Sequence, residues 1–191
     1  MTTAGPATIG IAQAAIAAAI SNTKDAGKAT RDIVTELLSS TLTDARKVGA
    51  SLTGAIGIIV SGAVRGTLEV GASLAHTAKG IMIGVLHGTQ DAGTPIFDTI
   101  RHTAYVAIRD TASLGGDVGG AALGLVAGAI EGARELGISA EDAARVAVDG
   151  ALKAIGHVSS ITVETVRRAV TKPLNAVKTA IRQPEVNYSR K

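Results

Sequence analysis

The sequence predicts an all-α protein: extended, kinked amphipathic helices of 22-residue repeats, assembling as an oligomeric bundle or tube. Three observations predict it. Eight consecutive 22-residue segments align from Ala4 to Thr179 without a gap, and a fixed period of this size marks a repeat architecture. Glycine stands at the second place of seven of them (Gly5, Gly27, Gly49, Gly71, Gly93, Gly115 and Gly137), with Ser159 in the eighth. The seventeenth place is aliphatic in all eight, forming an apolar seam of Ile20, Leu42, Val64, Leu86, Ile108, Ile130, Leu152 and Leu174. Twenty-two residues are two elevens, about 3.67 residues per turn, so an apolar stripe of this period runs nearly parallel to a helix axis.

Taken from the N-terminus, Ile9 to Ile20 is uncharged but contains Gln13, and it reaches about half a bilayer span. The third segment carries Val48, Leu52, Ile56, Ile59, Val64 and Leu68, spaced as one helical face. Val48 to Val64 is uncharged over 17 residues, with Ser51, Thr53, Ser61 and four glycines within it. That length sits at the lower edge of a membrane span, and the stripe favours a helix lying on a membrane or against copies of itself. Charged residues such as Arg65, Arg109, Glu131 and Lys153 recur at the eighteenth place, opposite the seam.

Punctuation is expected at three joints. In Ala92-Gly93-Thr94-Pro95, Thr94 suits an N-cap and Pro95 a first turn. Ser113-Leu114-Gly115-Gly116-Asp117 reads alike, and after Gly137 the hydroxyl of Ser139 can cap a helix with Asp142 three residues on. Helix is expected through most of the remainder, which as one unbroken rod would be about 260 Å long. The last full segment repeats the stripe with Val158, Thr162, Val166, Ala169, Val170, Leu174 and Val177 before Pro184 ends the pattern. The expected organisation is an apolar N-terminal half (1–91) facing membrane, a C-terminal half (92–183) for oligomerisation and docking, and a polar tail (184–191).

Composition argues for association. The chain has no Trp, one Phe and two Tyr among 191 residues. Aromatic side chains bury roughly 150–250 Å² each, so an Ala/Gly-rich monomer has little apolar area with which to offset its backbone entropy. Small residues instead let helices approach closely. The row Gly116, Gly120, Gly124, Gly128 and Gly132, echoed by Gly62/Gly66 and Gly84/Gly88, reads as a helix-packing face. The seam is then expected to need neighbouring copies to cover it.

Several chemistries find no support. Cysteine is absent, which removes thiolate and disulfide chemistry and is compatible with a reducing cytoplasm. No strand precedes a glycine-rich loop and no Walker lysine follows one. His76 and His87 lie eleven residues apart on one helix face, about 16 Å along the axis, too far to chelate one metal within a chain. Glu141/Asp142 and Glu131/Glu135 read as first-turn and surface acids. No catalytic, cofactor or metal residue is assigned. Residues 158–191 hold seven basic side chains, among them Arg167, Arg168, Lys172, Lys178 and Arg182, against Glu164 and Glu185. Residues 48–157 hold seven basic and ten acidic, a net of −3. The basic end suits solvent or an acidic protein or lipid surface, and without interleaved aromatics it argues against nucleic acid.

The 22-residue period with glycine or proline at its joints resembles the exchangeable apolipoproteins, which coat lipid with interfacial helices. It departs from them in its few charges and many glycines. The eleven-residue period also resembles right-handed coiled-coil stalks, and among them the helical stalk subunit of actinobacterial high-affinity uptake hydrogenases. Those resemblances imply a non-enzymatic protein at the cytoplasmic side of a membrane. It would be either a self-associating stalk tethering a large redox enzyme or other complex and enclosing lipid or quinone, or a lipid-coating protein.

Overall fold

The computed structural model describes residues 6–48, 51–93, 95–155, 164–171 and 175. Within them the chain forms seven α-helices: α1 (Pro6–Ser21), α2 (Ala26–Val48), α3 (Leu52–Glu69), α4 (Leu74–Thr89), α5 (Ile96–Ser113), α6 (Val118–Glu135) and α7 (Ala140–Ile155). A short 3-10 turn, Gln90–Ala92, follows α4, and residues 164–171 are helical again. There is no strand among the described residues, and the all-α expectation holds.

Each helix occupies one 22-residue segment, and the joints explain the glycine at its second place. Gly71, Gly93, Gly115 and Gly137 have φ between 65° and 71°, the left-handed region that L side chains avoid. At three of them the backbone closes a Schellman motif, in which two amides past the helix end reach back to its last carbonyls. Ala72 N bonds Thr67 O at 3.0 Å, Gly116 N bonds Thr111 O at 2.9 Å and Ile138 N bonds Ala133 O at 2.9 Å. Asp117 then caps α6 through the Gly120 amide at 2.9 Å, and Ser139 caps α7 through the Asp142 amide at 3.2 Å. The start of α5 is displaced by one residue, since Pro95 itself is the N-cap. Thr94, Gly5, Gly49, Ser159, Leu174, Lys172, Lys178, Arg182 and the 184–191 tail lie outside the described residues.

The chain also breaks where helix was expected to continue. Beyond the three anticipated joints it turns at 22–25 and 70–73, and α2 and α3 are separate helices. The first of these turns uses no glycine. Ser21 and Asn22 fold their side chains back onto the carbonyls of Ala17 and Ala18 at 2.8 Å, and Asp25 receives the Lys28 amide at 2.9 Å. Side-chain caps thus stop α1 and start α2. Gly27 consequently sits in the first turn of α2, where its missing side chain lets the backbone meet the His76 carbonyl on α4.

The helices stack in two layers, α1, α3, α5 and α7 in one and α2, α4 and α6 in the other, each helix lying on the one two places before it. The structural unit is therefore a helix pair of two segments. Apolar side chains from both layers form one cluster running from Ile16 to Val170, continuous past residue 92. The seam residues Ile20, Leu42, Val64, Leu86, Ile108 and Ile130 are buried and Leu152 is half-buried, all by neighbours in the same chain. Folding back in pairs supplies the cover that a single extended helix lacks, so the need for other copies to cover this seam disappears. No helix among the described residues is long and apolar enough to cross a membrane.

Candidate functional site

The glycine row acquires its meaning from the stacking. In α4 and α6 glycine occupies the eleventh, fifteenth and nineteenth places: Gly80, Gly84 and Gly88, then Gly124, Gly128 and Gly132. These face the helix two before. A β-carbon at Gly128 would lie 2.6 Å from the Lys79 carbonyl oxygen, one at Gly84 2.7 Å from that of Arg31, and one at Gly132 2.6 Å from Leu86 Cδ1. In α3, Gly62 and Gly66 seat on Ala12, Gln13 and Ile16 of α1, and in α7 Gly150 seats on Arg101 and Ala104 of α5. Of the five glycines singled out between 116 and 132, the last three form the contact face. Gly116 lies in the joint beneath Leu68 and Leu74, and Gly120 makes room for the Asp117 cap.

Among α3 to α7, one helix has glycine at none of these places. At the same three places α5 carries His102, Val106 and Asp110. With side chains at all three places, where α3, α4, α6 and α7 each keep at least one glycine, α5 is held off α3, and this is the loosest contact of the helix pairs two apart among α1 to α7. The junction is bridged by polar groups instead. The carbonyl of Thr53 can only accept, so His102 Nε2 donates to it at 3.1 Å. Ser61 Oγ donates to the largely buried Asp110 carboxylate, which Arg109 also grips at 2.7 Å. Two openings flank the His102–Thr53 bridge. A shallow groove of about 430 Å³ is lined by Ile9, Gly57, Ile58, Ser61, Val106 and Arg109. A second space of about 290 Å³ is lined by Leu52, Ile56, Pro95, Asp98 and Thr99. Burial of the half-exposed imidazole, and next the charge of Arg109, push its pKa below the ordinary histidine value, although the Thr53 bond works the other way.

Side-chain bridges staple two of the other stacks from outside. Lys79 meets Glu131 at 2.6 Å and His87 meets Glu135 at 2.7 Å, joining α4 to α6, while Arg101 meets Asp149 at 3.0 Å, joining α5 to α7. Lys153, and then Arg101, hold the Asp149 carboxyl below its usual range. Such exposed pairs add about 0–1 kcal/mol each. Glu131 and Glu135 are thus inter-helix partners as well as surface acids. His76 is exposed on α4, and no group of His, Asp and Glu side chains among the described residues is placed to hold a metal ion. At the basic end Arg167 and Arg168 are exposed, with Arg168 paired to Glu164 at 3.2 Å.

The bridges escape a reading of one segment at a time, because their partners lie 48 or 49 residues apart, two repeats plus one helical turn. A signal was present: His102 and Asp110 stand where Gly80, Gly124, Gly66, Gly88 and Gly132 stand in other segments.

No protein-family model and no curated protein matches the chain. Among solved structures, the crystal structure of the de novo designed helical repeat protein DHR7 superposes with a TM-score of 0.57 at 18% identity, covering 93% of this chain and 98% of that one. The fold is that of a helical repeat protein. At this identity the likeness concerns the fold alone, and the helical repeat architecture accounts for the two layers and the pairwise stacking described above.

Proposed function

We propose that this helical repeat protein is a non-enzymatic scaffold, a self-supporting stack that tethers a larger partner at a membrane surface. The observation that carries the reading is the covered seam: a chain that buries its own apolar stripe persists as a rigid spacer without lipid. Its ends differ in kind, as a tether requires. The outward side of α1 exposes Gly10, Ile11, Ala14 and Ala18, with Ile11 64% exposed and no charged side chain between Pro6 and Ser21. Arg167 and Arg168 are exposed near the other end. An uncharged helix face suits the interface of a bilayer, and the basic end suits an acidic protein surface. Lipid against this face, rather than quinone inside a tube, is the partner class we favour, since the space between the layers is filled by side chains.

The test compares the lipid-free chain with the chain mixed with vesicles, by circular dichroism and co-sedimentation. The scaffold reading expects full helicity before lipid is added and vesicle binding that Ile11→Glu abolishes. A chain largely unstructured until lipid arrives would instead identify a lipid-coating protein.

A further inference from the structure

We propose that the junction between α3 and α5 is a proton-operated latch: it is closed while His102 is neutral, and protonation of that ring parts α5 from α3. This goes beyond the scaffold reading and does not depend on it.

The geometry makes this junction the place where the stack can open. Contacts in repeat proteins are made with nearest neighbours, so the weakest junction yields first. In the layer opposite, α6 is seated on α4 through Gly124 and Gly128, backbone against backbone, and through Gly132 against the Leu86 side chain. That pair acts as the fixed edge. Across from it, α5 meets α3 through the His102–Thr53 and Asp110–Ser61 bonds, with a cavity on each side of the first. Swinging α5 outward merges the two spaces into one slot between Ile56, Ile58 and Val106.

The chemistry makes the first bond sensitive to protons. Neutral His102 spends its one N–H on the Thr53 carbonyl. A second proton goes to Nδ1 and leaves a cation in the junction. From α3 the lining residues Leu52, Thr53, Ile56, Gly57 and Ser61 bring no carboxylate, and α1 brings no charge at all. On α5 itself Arg109 repels the cation, and Asp110 is held by Ser61 and Arg109. Asp149 of α7 is held by Arg101 and Lys153, and the Lys79–Glu131 and His87–Glu135 pairs of α4 and α6 are spent on one another. Asp98, one turn before His102 and 69% exposed, is paired with Arg101 at 2.6 Å; it is the carboxylate for which the cation competes by turning outward, and that turn breaks the Thr53 bond. The Thr53 bond by itself favours the cation, but burial, the largest influence, together with the charge of Arg109 outweighs it, and the net downward pKa shift agrees with a closed junction that prefers the neutral ring.

The absence of cysteine allows site-specific spin labelling of the full chain. One label pair, on Arg65→Cys and Tyr105→Cys, spans α3 and α5; a control pair, on His76→Cys and Leu123→Cys, spans α4 and α6. Lowering the pH from about 8 to about 5, across the ordinary histidine range, is expected to lengthen and broaden the α3–α5 distance and leave the control unchanged. In His102→Gln, whose amide can still donate to Thr53, the α3–α5 distance is expected to stay short at both values. An NMR titration of His102 in the unsubstituted chain is expected to share the midpoint of the distance change. An α3–α5 distance that ignores pH, equal movement of the control pair, a pH response surviving in His102→Gln, or a His102 midpoint apart from that of the opening would each overturn the latch.

Discussion

The α4–α6 and α3–α5 contacts are the same construction in different layers, a helix laid on the helix two before it, with opposite solutions at three places of the repeat. In α6 those places are Gly124, Gly128 and Gly132; the first two meet the backbone of α4 at Ala75 and Lys79, and the third receives the Leu86 side chain. In α5 they are His102, Val106 and Asp110, and the helices are held apart by polar bridges with open space on either side. Close backbone contact gives many small dispersion contacts and no adjustable part. A junction bridged by two hydrogen bonds has fewer such contacts, and the latch proposed above places its pH response there. The difference shows how a repeat localises adaptability: it changes residues at a few fixed places and leaves the helices themselves alone.

The largest expected effect comes from breaking the tight contact. Gly128→Leu places its β-carbon 2.6 Å from the Lys79 carbonyl oxygen and 2.9 Å from Met82 Cβ, so neither backbone nor core can yield cheaply. It should destabilise the chain by at least the ~1–3 kcal/mol typical of overpacking, read as a lowered denaturation midpoint. His102→Gly makes the reverse change at the loose contact. Loss of the Thr53 bond and a glycine in mid-helix together should cost about 1–2 kcal/mol, and the same denaturation experiment would show whether the two contacts differ as described.

Acid should distinguish the contacts without substitution. The folded state lowers the pKa of His102, so the unfolded chain binds more protons through the histidine range and stability rises with pH there. The expected result is a stability loss as pH falls below about 6.5, continuing to the lowered folded value and attenuated in His102→Gln. The smallest effect concerns one place of the repeat shared by α4 and α5. Thr89 Oγ1 donates to Val85 O at 2.7 Å, whereas the buried Thr111 Oγ1 has no hydrogen-bond partner in the structure. Thr89→Val should therefore cost about 1 kcal/mol, and Thr111→Val should be neutral or slightly stabilising, measured by thermal melting.

Much of this fold was legible from period alone. The 22-residue spacing marked the helices, the seam marked the core, and Gly93, Gly115 and Gly137 marked joints. The turn at 22–25 was hidden because Ser21, Asn22 and Asp25 cap it with side chains instead of glycine. The pairing of each helix with the one two places away was hidden for a deeper reason. An apolar stripe states which face is buried and says nothing about what buries it, so one chain folded back and several chains bundled leave the same pattern. The candidate site was missed for that reason too, since Thr53 and His102 become neighbours only once α5 is laid on α3.

The central claim is that one chain covers its own seam. Light scattering combined with thermal melting over a wide range of protein concentration, without lipid, tests it most directly. The account predicts a helical 19.1 kDa monomer that melts cooperatively at a temperature independent of concentration. An oligomer whose melting temperature falls on dilution, with no folded monomer at the lowest concentrations, would contradict it.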